Sequence, residues 1–178
     1  MSDYSGWSVS MSSDGNTVAI GAPYNDGTYS TTSQIFANNF GHVRVYEWTG
    51  SLWIQLGDDI DGQTTSSTGN QASSASGYSV SLSSDGNIVA IGAPGNDDNG
   101  LDAGSVKIFS FNGISWVQLG LDIQGEGIDD HSGEIVSINE DGNIVAIGAI
   151  KNDGNGSNSG HVRIYEFDGT NWIQLGFD

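Results

Sequence analysis

The sequence predicts an all-β fold assembled from repeated four-stranded units, and three observations carry that prediction. The pentapeptide VAIGA occurs three times, at residues 18–22, 89–93 and 145–149. Each copy follows an Asp-Gly turn, at Asp14-Gly15, Asp85-Gly86 and Asp141-Gly142, and each is followed by Trp-x-Gln-Leu-Gly, at residues 53–57, 116–120 and 172–176. No segment has an apolar period of 3.6 residues, and Gly, Ser or Thr interrupts the chain every few positions, so no helix of useful length is expected. A fixed order of motifs repeated three times is the mark of a tandem array.

The first strand of each unit is expected at residues 7–11, 78–82 and 134–138, where apolar and polar residues alternate as in a half-buried strand. The Asp-Gly pairs follow as tight hairpins, because both residue types tolerate positive φ. VAIGA is the second strand. It is apolar on both faces and small at alternate positions, which suits a crowded, covered place. The third strand is expected at 43–48, 106–111 and 162–167. Turns at Thr49-Gly50, Asn112-Gly113 and Asp168-Gly169 lead to the fourth, at 53–56, 116–119 and 172–175.

Four antiparallel strands per unit, recurring through the chain, fit blades of a β-propeller; a β-sandwich would not predict a threefold repeat. The blades are expected at 1–62, 63–125 and 126–178. Length varies in the loop between strands two and three (23–40, 94–103, 150–159) and in the links between units (63–76, 126–132). Variation on a constant frame places these segments on the surface, where binding usually resides.

Composition narrows the function. The chain has 22 Asp and Glu against 4 Lys and Arg, a formal charge of −18. It should repel nucleic acid and anionic membranes, since almost nothing is present to neutralise phosphates. Without cysteine there are no disulfides, thiolate metal sites or Cys nucleophiles. No apolar run approaches the ~18 residues that span a bilayer, and Met1 to Gly6 lacks the basic start and apolar core of a secretory signal.

With Gly77-Tyr78-Ser79-Val80, then Val89-Ala90-Ile91-Gly92-Ala93-Pro94, Gly104-Ser105-Val106 and Trp116-x-Gln-Leu, the chain resembles the FG-GAP repeat family. This is the family of the blades of the integrin α-subunit propeller and of many bacterial surface proteins. The resemblance covers nearly the whole chain. It implies a non-enzymatic interaction or adhesion module in an extracellular or cell-surface setting. The nearest variant lacks the family's calcium-binding hairpin: Ser-Asp-Gly-Asn stands in its place with one carboxylate, whereas calcium takes six to eight oxygens.

Known propellers have about four to eight blades. Three blades leave two open flanks, so the expected partner is the chain itself. Two copies joined head to tail would close a six-bladed ring through a heterologous interface. A fragment of a longer array, natural or engineered, is the rival reading.

Several residues are candidate sites, each with a plainer alternative. Arg44, Lys107 and Arg163 share one repeat position. They could ring an anionic ligand, but the commoner role is structural, each cation pairing with a carboxylate of the adjacent blade. Trp53, Trp116 and Trp172 also share a position; filling the space between sheets is favoured over sugar stacking. Asn96, Asp97, Asp98 and Asp102 are dense in hard oxygen ligands and are the candidate calcium set, against an Asx-rich turn. No other cofactor is implied. Asp129-Asp130-His131 sits in one link only, and exposed link residues are commoner there than a metal site. The serines have no His-Asp partners at a meaningful spacing, so no catalytic residue is assigned. The alternatives to an interaction module are a lectin with sites repeated between blades and, further behind, a glycan-cleaving enzyme.

Overall fold

The computed structural model describes residues 2–26, 39–62 and 73–176. Most of the first variable loop and most of the first link lie outside these residues. The described chain forms three antiparallel sheets with no helix. The first sheet holds β1 (Ser8–Met11), β2 (Thr17–Ala22), β3 (His42–Trp48) and β4 (Trp53–Gln55), in that order, with β5 (Ile60–Asp61) also paired to β3. The second repeats this with β6 (Ser79–Leu82), β7 (Ile88–Ala93), β8 (Ser105–Phe111), β9 (Trp116–Gln118) and β10 (Ile123–Gln124). The third holds β11 (Ser132–Ile138), β12 (Ile144–Ala149), β13 (His161–Phe167) and β14 (Trp172–Leu175). These are propeller blades, each an up-and-down sheet of four principal strands. First strands of successive blades lie against each other.

The short strands β5 and β10 are absent from the sequence expectation. They arise because the outer strand breaks after Leu56 and Leu119 and then rejoins the start of the third strand, pairing Ile60 with Val43 and Ile123 with Val106. Ile60 and Ile123 are thereby buried.

The hairpin between the first two strands also differs from expectation. Only its glycine has positive φ, 74° at Gly15, 72° at Gly86 and 73° at Gly142. The aspartate instead works through its side chain. Asp14 accepts hydrogen bonds from Ser12 Oγ at 2.6 Å and from the Asn16 N–H at 2.9 Å, so the connection is a wider loop than a two-residue turn. Asp85 repeats this with Ser83 and Asn87. In the third blade Asn139 takes over the capping, accepting from the Asn143 and Ile144 N–H groups.

The core lies between blades rather than within them. Ala19, Val43 and Val45 of the first blade meet Val80, Leu82, Val89 and Ile91 of the second. Ala90, Val106 and Ile108 of the second meet Val136, Ile138, Val145 and Ile147 of the third. Alternate residues of each strand therefore face opposite neighbours, as the period of two demands. This explains why VAIGA is apolar on both faces. Its glycine is required by close approach: a Cβ on Gly92 would lie 1.9 Å from the Gly133 carbonyl oxygen of the next blade.

Candidate functional site

The repeated basic residues pair differently from the expectation. Arg44 forms a two-pronged pair with Asp59, Nε to Oδ1 at 2.8 Å and Nη2 to Oδ2 at 2.7 Å. Lys107 Nζ lies 3.3 Å from Asp122. Both acids belong to the same blade as their cation, because the outer strand doubles back after its break and carries Asp59 and Asp122 beside the third strand. Arg163 bonds Glu126, in the link preceding its blade. The hydrogen bond from Arg44 holds the Asp59 carboxyl below its usual range. Burial pushes the neighbouring His42 down, helped by Arg44, and pushes Asp61 up, helped by Asp59. His42, Asp59 and Asp61 bring their ligand atoms within 4.8 Å of one another, but Arg44 already claims both oxygens of Asp59.

Of the repeated tryptophans, Trp116 and Trp172 fill the inter-blade space. Trp116 Nε1 donates to the Leu56 carbonyl of the first blade at 2.9 Å, and Trp172 Nε1 to the Leu119 carbonyl of the second at 2.8 Å. Trp53, in the first of the three blades, is 42% exposed and rests on Trp48.

In the acidic loop, Asn96 is buried. Its Oδ1 accepts from the Asp98 N–H and its Nδ2 donates to Asp98, while Asp97 Oδ1 accepts from the Asp102 N–H at 2.7 Å. These are the bonds of an Asx-type loop. Asp102 also lies with Asp129 and His131 in a group whose ligand atoms are within 4.8 Å of one another.

A further group of positions, of which only Asp129 and His131 stood out in the sequence, is at the end of the sheets where each first strand begins. One turn occurs there three times: the Trp7 N–H donates to the Tyr4 carbonyl, Tyr78 to Ala75 and Glu134 to His131. Tyr4, Ala75 and His131 each hold a left-handed backbone, at φ 52°, 52° and 57°. The backbone is repeated but the side chains are not. The first blade places Tyr4, Trp7 and Tyr24 there, and Trp7 meets Tyr78 of the second. The third blade places His131, Glu134 and Lys151 at the corresponding positions. Glu134 lies 3.4 Å from His131 Nδ1, and Lys151 Nζ lies 3.1 Å from His131 Nε2 and 3.2 Å from Asp129. The hydrogen bond from Lys151 lowers the Asp129 carboxyl. Burial raises the Tyr78 phenol, and the nearby Glu134 charge adds to it. The sequence signal was present as the three substitutions at aligned positions, Trp7/Tyr78/Glu134, Tyr4/Ala75/His131 and Tyr24/Gly95/Lys151.

The outer flanks of the first and third blades are apolar and exposed. Val9 and Met11 are 64% and 57% exposed on the first, Ile135 and Val162 61% and 67% on the third. A groove of about 460 Å³ runs along the third flank, lined by Ile135, Ser137, Ala146, Gly148 and Val162 among others.

Residues 67–109 match the FG-GAP repeat family. No curated protein matches the chain at a significant level. Among solved structures, the chain is similar to one in the complex of KlAtg21 with the coiled coil of AgAtg16. The TM-score is 0.55 and the identity 15%, over 96% of this chain and 43% of that one. It is similar also to a protein from Bacteroides uniformis assigned as a 6-phosphogluconolactonase, with a TM-score of 0.52 and 12% identity over 96% of this chain and 56% of that one. This chain therefore spans about half the length of the chains it resembles. At such identities the likeness shows the propeller fold alone.

Proposed function

We propose that these FG-GAP-type blades form a non-enzymatic interaction module, of the adhesion kind, that completes its propeller by joining head to tail with a second copy. The observation that carries this reading is that the two open flanks bear matching halves of the internal blade joints. At both internal joints an indole N–H meets a leucine carbonyl, Trp116 to Leu56 and Trp172 to Leu119. Trp53 holds the same donor position on the first flank, and Leu175 the same acceptor position on the third. At both joints a first-strand N–H donates to a serine hydroxyl, Leu82 to Ser10 and Ile138 to Ser81. Met11 and Ser137 are the corresponding pair across the flanks. Exposed apolar faces of this kind mark interaction surfaces, and a heterologous contact that closes gives a ring.

One contact departs from the pattern. Ser8 and Ser79 donate to the Gly77 and Gly133 carbonyls of the following blade, while Ile135 stands at the third such position. The joint between copies would lack that bond and gain apolar contact instead, which suits a reversible association.

Sedimentation at micromolar concentration tests the reading. The expected species has twice the 18.6 kDa mass of the chain; a folded monomer persisting to about 100 μM, a concentration equivalent to roughly 5 kcal/mol of standard free energy, would remove it. An extracellular or surface location is proposed from the family likeness. The lactonase neighbour supports an enzymatic alternative only at the level of fold. Hydrolysis of 6-phosphogluconolactone by this chain would favour that alternative.

A further inference from the structure

We infer that the end of the blades bearing Trp7, Tyr78 and Glu134 is a binding site for a neutral oligosaccharide, a single site made by departures from the repeat. It is independent of ring closure, since its contacts lie within one chain.

The repeat itself supplies the first reason. Structural demands at equivalent positions should select equivalent residues, and they do so in the cores and at the tryptophan joints. At this end the backbone turn is repeated three times, yet its side chains change from aromatic to charged between blades. Packing of the blade does not require the change, because the same turn forms with Ala75 and with His131. The three aligned positions nearest the meeting of the first strands carry it together.

Ring geometry supplies the second. Trp7 meets Tyr24 at 87° with centroids 5.9 Å apart, and Tyr4 meets Tyr24 at 67° and 5.3 Å. Each ring rests its edge on a neighbour's face. No slot is left between facing rings for a quaternary ammonium group, which binds by lying over ring faces. The cluster offers outer faces instead: Trp7 remains 47% exposed and Tyr4 58%. An aromatic ring left partly open in this way takes the apolar C–H face of a sugar ring.

Polar chemistry beside the platform supplies the third. Tyr78 links Trp7, at 5.3 Å between centroids, to the neighbourhood of Glu134. Glu134 and Lys151 are held by His131 at 3.4 and 3.1 Å. A carboxylate and an ammonium already fixed in place present acceptor and donor to hydroxyls at little further ordering cost. A few placed polar groups beside aromatic surface are what orients a small ligand. The chain's charge of −18 disfavours acidic polymers, which narrows the class to neutral sugars.

Cellohexaose, laminarihexaose and chitohexaose, titrated into the full chain and followed by tryptophan fluorescence and calorimetry, test the assignment. At least one is expected to bind with a Kd of 1 mM or below. Trp7→Ala should weaken that binding tenfold or more and Glu134→Gln threefold or more, while Leu101→Ala on a neighbouring loop leaves it unchanged. Glu134→Gln keeps side-chain volume, so it remains informative if Trp7→Ala fails to fold. No binding to any of the three, binding insensitive to both variants, or tighter binding to polygalacturonate would each overturn the assignment.

Discussion

Trp116 reaches across from the second blade to donate its indole N–H to the carbonyl of Leu56, in the first, at 2.9 Å. This one bond ties the outer strand of one sheet to that of the next, and the ring above it packs against the core between them. Trp116→Phe keeps most of the packing and leaves the Leu56 carbonyl without its donor. The expected loss is about 1 kcal/mol, against about 3–5 kcal/mol for Trp116→Ala, which also opens a cavity. Urea unfolding of the two variants measures both, and an unchanged stability in Trp116→Phe would mean that the bond contributes nothing.

Gly92 and Gly148 occupy the same position in successive blades but face different surroundings. A Cβ on Gly92 would strike the Gly133 carbonyl, whereas on Gly148 the nearest atom would be Ile135 Cβ at 3.5 Å, an ordinary contact. Gly92→Ala should therefore destabilise the chain by several kcal/mol, beyond the usual range for a single substitution. Gly148→Ala should leave the melting temperature of the single chain near the parent value, yet block head-to-tail association, because a second copy would bring its own first-strand turn against that Cβ. A Gly148→Ala protein that still sediments at twice the chain mass would contradict the proposed joint.

Two copies that each carry a charge of −18 repel one another over distances comparable to the Debye length, about 10 Å at 0.1 M salt. The joint itself is apolar and hydrogen-bonded, and salt does not weaken such contacts. Association should therefore strengthen between 0.05 and 0.5 M NaCl, by roughly tenfold or more in Kd given several screened like charges. Dissociation by salt would point instead to an ionic interface.

The Arg44–Asp59 pair sets a direction for acid sensitivity. The Asp59 carboxyl titrates below its ordinary value because Arg44 donates to it. A carboxylate lowered on folding adds stability above its unfolded pKa of about 3.9, and that contribution is lost as pH falls through the folded value. The pair is partly exposed, so the effect should stay within about 1 kcal/mol. Asp61 works the other way, since burial raises its carboxyl. Asp59→Asn should accordingly flatten the drop in stability between pH 5 and pH 2. An unchanged profile would show that the pair does not contribute.

Much of the fold was legible because its determinants are local or periodic. The alternation in Ser79–Leu82, the place of the hairpin at Asp85-Gly86 and the doubly apolar Ile88–Ala93 are short-range properties, and repetition allowed each to be checked against its siblings; the side-chain cap that widens the hairpin was not foreseen. The role of Trp116 and Trp172 between sheets was also readable, because a large repeated residue on an outer strand has few other places to go. The partners of Arg44 and Lys107 were misjudged. Their acids belong to the same blade, and only the break after Leu56 and Leu119, with the return of Ile60 and Ile123 to the third strand, brings them there. Nothing in the spacing announces that break.

By itself the sequence determined the unit: four strands, a turn at each Asp-Gly pair, and two apolar faces that require a neighbour on each side. Period and turn chemistry act within a few residues, and so they can be read along a line. The tertiary structure decided which distant residues meet, placing Trp7 against Tyr78 and Lys151 against His131. Those meetings depend on how one blade is rotated onto the next, a long-range geometry set by the inter-blade cores and by the close approach at Gly21 and Gly92.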